Sequence, residues 1–148
     1  MKRAALFIFL CATLCQAVVY VDQSRSGGDG TSWAQAYKTL DQAIAASGPD
    51  QEFWVADGTY TPADTLYPQS DSRFYGGFAG DETSLAGRNV SANPTILSGR
   101  RVLPHLFFVS WDVPNVQIDG FTIVGGQADN FGWDEFGASA PASVLAEK

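Results

Sequence analysis

From Gln51 onward the chain shows no helical periodicity. Short runs of β-branched and aromatic residues recur instead between Gly, Pro, Asn and Asp: Phe53-Trp54-Val55, Thr59-Tyr60-Thr61, Phe74-Tyr75, Thr95-Ile96-Leu97, then residues 106–110 and 116–124. Such runs read as strands bounded by turns. Trp54, Tyr75 and Ile96 recur about every 21 residues, a spacing suited to a solenoid whose coils stack one on the next. An antiparallel sandwich also separates strands by turns, about every 8–12 residues. The two-residue turns that favour hairpins are missing here, which weighs against it.

Upstream of this region lie a strand-like run, Val18-Val19-Tyr20-Val21, and a breaker, Gly27-Gly28-Asp29-Gly30. Thr39-Leu40-Asp41-Gln42 has the spacing of a capping box, in which each side chain satisfies a backbone donor of the other residue. The spacing predicts a helix over about residues 39–47, with Leu40, Ala43 and Ile44 on one face and Gly48-Pro49 as its stop.

Residues 1–17 have the layout of a secretory signal. Lys2 and Arg3 precede an apolar run from Ala4 to Leu10 that continues through Cys11, Ala12 and Leu14, and Cys15-Gln16-Ala17 places small residues where a signal peptidase reads. The run is well short of the roughly 20 residues that span a bilayer, so no transmembrane span is expected. Cleavage near Ala17 removes both cysteines, and with them any disulfide, thiolate nucleophile or cysteine-held metal. It also takes the balance of 9 basic and 16 acidic residues to 7 against 16, a net −9. So acidic a chain is unsuited to nucleic acid, whose binding rests on Lys and Arg against phosphate. The expected location is outside the cell or at its surface.

Several segments, in order, resemble secreted bacterial proteins of the pectin-lyase-like family. Tyr20-Val21-Asp22, the stretch from Ser26 to Ala34 and Ala36-Tyr37-Lys38-Thr39-Leu40 resemble the family's N-terminal entry. The run from Phe53 to Pro62, Tyr75-Gly76-Gly77-Phe78-Ala79-Gly80-Asp81-Glu82-Thr83 with Arg88, and Asn93-Pro94-Thr95-Ile96-Leu97-Ser98-Gly99 are similar to successive coils, and residues 118–126 to a later one. The resemblance implies an all-β fold, a right-handed parallel β-helix over residues 18–137 with a short N-terminal capping α-helix. Residues 138–148, rich in Ala, Ser and Pro, read as a disordered tail. Gly58, Tyr60, Gly76, Gly77, Gly80 and Gly120 are the expected structural motif residues, the glycines serving sharp turns and close backbone approach. The helix is expected to cover the first coil and hide a sheet edge. The far end has no counterpart to that helix, which predicts self-association there or continuation in a longer chain.

The residues show no catalytic constellation. After Ala17, Arg100-Arg101 is the one adjacent basic pair, with Asp112 the nearest acid, and Arg stays protonated, so both read as turn charges. Asp119 before Gly120 reads as a turn residue. Asp129, Asp134 and Glu135 offer oxygen ligands for calcium, but their spacing fits no calcium loop; they read as a solvated tail, and no cofactor is expected. His105 has no second His or Cys to share a metal, and Asn89-Val90-Ser91 matches a glycosylation sequon. Trp33 and Trp54 are expected in the core. Trp111 and Trp133 are freer and are the candidate carbohydrate contacts, since aromatic faces stack on sugar rings. The predicted function is a secreted, non-catalytic module that contacts extracellular polysaccharide or the cell surface. The alternative is a polysaccharide lyase or glycoside hydrolase.

Overall fold

The computed structural model describes residues 17–127. Within them lie the strands β1 (Val18–Val21), β2 (Glu52–Ala56), β3 (Gly58–Tyr60), β4 (Arg73–Phe78), β5 (Thr95–Ser98), β6 (Gln117–Asp119) and β7 (Phe121–Val124), one α-helix, α1 (Leu40–Ala46), and two single 3-10 turns, Trp33–Gln35 and Leu85–Gly87. The strands pair in parallel in two separate sheets, β1-β2-β4-β6 and β3-β5-β7. The chain passes from the first sheet to the second at two tight corners, between β2 and β3 and between β6 and β7.

This corrects the expected all-β right-handed parallel β-helix. The described residues form two small parallel sheets and a helix, closer to an α/β arrangement, and the turns do not close into a solenoid. The physical reason lies in segments 61–72 and 99–116, where a third strand of each turn would have to form. They contain Pro62, Pro68, Pro104 and Pro114, which have no N–H to give to a ladder. Among the described residues the two segments share a single isolated β-bridge, Leu66 to Phe107, and no ladder.

The recurrence of about 21 residues mixes the two sheets. Trp54 lies opposite Tyr75 in the first sheet, but Ile96 lies opposite Thr59 in the second. Tyr75 meets Asp119 on its other side.

Packing follows the two-residue alternation of the strands. Val21, Phe53, Val55 and Phe74 point inward and join Tyr60, Leu66, Leu97 and Leu106 in the main core. The Phe53 and Phe74 rings stack at 4.5 Å between centroids. On the outer face Trp54, Tyr75 and Phe78 form a second cluster with Tyr20 and Trp33 against it. Strands β2 and β4 are thus covered on both faces, which explains their nearly continuous apolar sequences.

Helix α1 starts where the Thr39 hydroxyl accepts a hydrogen bond from Gln42 N at 3.2 Å. Only this half of the predicted capping box is present among the described residues. Leu40, Ala43 and Ile44 are buried and pack into the main core. The backbone edge of β1 is closed by the segment preceding the helix, not by the helix: Tyr20 N donates to Gly30 O, Tyr37 N to Tyr20 O and Asp22 N to Tyr37 O. The free edge of β3 is closed by a side chain. With its amide turned to satisfy both partners, Gln23 donates to Thr59 O at 2.9 Å and accepts from Thr59 N at 2.7 Å, standing in for a neighbouring strand.

Candidate functional site

Segments 61–72 and 99–116 run side by side on the flank that neither sheet covers. Leu66 N donates to Leu106 O and Phe108 N to Leu66 O, both at 2.9 Å. Thr65 Oγ1 donates to His105 O at 2.9 Å. Leu66, Leu103 and Leu106 are buried beneath, and Phe107 packs on Phe74 at 5.3 Å. Tyr67 and Phe108, the residues after Leu66 and Phe107, turn outward, 60% and 44% exposed with ring centroids 5.8 Å apart. The exposed His105 ring lies 6.3 Å from Phe108.

Trp111 stands on the same segment in the turn closed by Val113 N to Ser110 O, and it is 97% exposed. Of the eight large apolar side chains exposed among the described residues, five lie on these two segments: Tyr67, Val102, Phe108, Val109 and Trp111. That concentration marks a contact surface more strongly than scattered single residues would. Polar groups border it. Asp112 adjoins Trp111, and Arg100 Nη2 donates to Thr61 Oγ1 at 3.1 Å.

Of the predicted carbohydrate contacts, Trp111 is thus fully presented to solvent, and Trp133 lies outside the described residues. Trp54 is buried, and Trp33 donates from Nε1 to Glu82 O at 2.9 Å while packing against Phe78. Arg100 and Arg101 occupy the left-handed region, with φ of 50° and 60°, in an exposed turn. Asp119 is paired with Arg88 at 2.7 Å, and the Arg88 guanidinium lies 5.1 Å from the Tyr75 ring centroid. Asn89 is exposed, its Oδ1 accepting from Ala92 N at 3.0 Å.

The motif residues are structural. Gly58, Gly77, Gly80 and Gly120 have positive φ. The buried Tyr60 hydroxyl lies 3.1 Å from Ala56 O, and burial pushes its pKa well above the usual tyrosine value. Gly76 has a different reason: a Cβ there would lie 2.5 Å from Gly120 O.

Two carboxylates that sequence reasoning missed hold the loops near the N-terminal end. Burial alone would raise the pKa of Asp22, but hydrogen bonds from the Ser24 hydroxyl and N–H and from Arg25 outweigh it and hold the carboxyl below its usual value. Burial also opposes ionisation of Glu82, yet backbone N–H groups of Ala79, Gly80 and Asp81 keep its pKa lowered. The Asp22-x-Ser24 spacing of an Asx turn was the available signal for the first.

Among the described residues no three His, Cys, Asp or Glu side chains gather where they would hold a metal ion. Asp129, Asp134 and Glu135 lie outside those residues. No described helix is long and apolar enough to cross a membrane. A cavity of about 210 Å³ lies between α1 and β3, bordered by Gln23, Lys38, Asp41 and Thr61. No protein-family model, curated protein or solved structure matches the chain.

Proposed function

We propose that the chain is an exported, non-catalytic module that contacts extracellular carbohydrate through Trp111, Tyr67 and Phe108. The observation that supports this most is the 97% exposure of Trp111, on the segment that also carries Phe108, whose exposed ring pairs with Tyr67. A tryptophan so placed gains nothing from the fold, and its apolar face is free to lie against the C–H face of a sugar ring, burying area on both sides. Asp112 and Thr65 supply acceptors and donors for hydroxyl groups along the border. Lys2, Arg3, the apolar run and Ala17 support export. In the same reading, the edges of β6 and β7, which have no neighbour among the described residues, are engaged by another polypeptide.

Affinity electrophoresis of the exported protein through gels containing neutral and acidic polysaccharides tests the proposal. Retardation by at least one polymer is expected, with Trp111→Ala weakening it tenfold or more. Migration unaffected by every polymer, or retardation that Trp111→Ala and Tyr67→Ala leave unchanged, overturns the aromatic contact. Release of new reducing or unsaturated ends from those polymers overturns the non-catalytic assignment.

A further inference from the structure

The two ends of the paired sheets are built differently. At the N-terminal end, segment 30–37 binds the edge of β1 and the Gln23 amide binds Thr59 on the edge of β3. At the other end β6 and β7 stand last in their sheets, so each carries a row of backbone donors and acceptors with no described neighbour. Past Val124 the chain turns sideways, Arg101 N donating to Gly125 O and Gln127 N to Leu103 O. Ile123 and Val124 are 52% and 44% exposed, and Val116, Ile118 and Phe121 are only partly covered.

Resting on the reading that these edges are engaged by another polypeptide, we propose that the polypeptide is a second copy of this chain, joined end to end about a two-fold axis at the Gly120 corner. A free edge of one copy cannot extend onto the N-terminal end of the next, because the edges there are already bonded. Only the two open ends can meet.

Rotation about an axis through the corner lays residues 117–124 antiparallel on their own copy, β6 of one against β7 of the other. Ile118 then faces Ile123, Asp119 faces Thr122 and Gln117 faces Val124. This keeps inward residues with inward and outward with outward: Ile118 is in register with Phe74 and Ile123 with Leu97, both core residues, whereas Asp119 and Thr122 continue the outer rows of Tyr75 and Ile96. The chain as a whole is acidic, with a net charge of −7, yet the meeting surface is not repulsive. Its one charged residue, Asp119, is neutralised by Arg88 at 2.7 Å. Neither strand contains the Lys or Pro that protects exposed edges elsewhere.

Sedimentation velocity of the exported protein between about 1 and 100 µM, combined with amide hydrogen exchange, tests this. A discrete dimer with slow exchange over residues 117–124 is expected. Ile123→Lys and Thr122→Pro should each weaken dimerisation tenfold or more, and circular dichroism reports whether each variant still folds. Trp111→Ala should leave the dimer intact while weakening retardation by polysaccharide tenfold or more, which separates this surface from the aromatic one. Open-ended polymers, or a dimer indifferent to Ile123→Lys in the folded variant, overturn the two-fold contact. A monomer with slow exchange over residues 117–124 overturns the second copy but keeps an engaged edge. A monomer with fast exchange there overturns both.

Discussion

Gly76 and Gly120 meet backbone to backbone where β4 passes β6. A Cβ on Gly76 would lie 2.5 Å from Gly120 O and 2.9 Å from the Thr95 Cβ, and one on Gly120 would lie 2.7 Å from Gly76 O. Neither neighbour is the end of a flexible side chain, so the strands themselves would have to separate. Gly76→Ala should therefore destabilise by about 3 kcal/mol, the upper part of the range for overpacking, and a urea midpoint shift checks it. Asp22 makes a different demand. Its folded-state pKa lies below the ordinary 3.8, so its contribution is complete above that value and is lost as pH falls through the depressed one. Stability should fall below about pH 4, and Asp22→Asn should flatten that part of the profile when unfolding free energy is measured from pH 5 to 2. From the sequence Gly76 reads as a turn glycine, and Asp22 is only one residue of a resemblance. Their actual duties depend on Gly120, Thr95 and Arg25, which reach them through pairing and loop closure.

Helix α1 shows how far local sequence carries an element. Its start is set by Thr39, and its apolar face by Leu40, Ala43 and Ile44; all four were legible, because capping and the 3.6-residue repeat act within a few residues. With seven residues it is too short to persist alone, so its stability comes from the core beneath. Thr39→Ala should cost about 1 kcal/mol, and Ile44→Ala about 2–5 kcal/mol. Equal losses in thermal melts would contradict that division between cap and core. The strands were legible as runs, but their partners were not. Ile96 was placed in the Trp54 and Tyr75 row, whereas its register partners are Thr59 and Thr122. Parallel neighbours lie one full crossover apart, and crossover length varies, so spacing alone does not decide which sheet a strand joins.

At the scale of the whole molecule, the ends of the sheets govern what the chain can join. Gln23→Leu keeps much of the volume but leaves the Thr59 N–H and C=O without their partner. It should cost about 1–3 kcal/mol, and it should let assemblies grow past the dimer by opening the β3 edge. Light scattering at increasing concentration would show larger species, and their absence would assign edge closure to the segment 30–37 alone. The sequence by itself determined the strand segments except residues 106–110, which form only an isolated bridge, together with the helix start, an export signal layout, the acidic balance and Trp111 as a freely placed aromatic. These follow from side-chain chemistry and short-range periodicity. Tertiary structure alone decided that the strands divide into two parallel sheets without closing as a solenoid. It also decided that Tyr67 joins Phe108 on the Trp111 segment, and that among the described residues the edges of β1 and β3 are bonded while those of β6 and β7 have no neighbour. Those outcomes depend on contacts such as Leu66 to Phe107, Gln23 to Thr59 and Arg88 to Asp119, made between residues some 30 to 40 positions apart. The free energy of such contacts exists only once the chain between them has been folded into place.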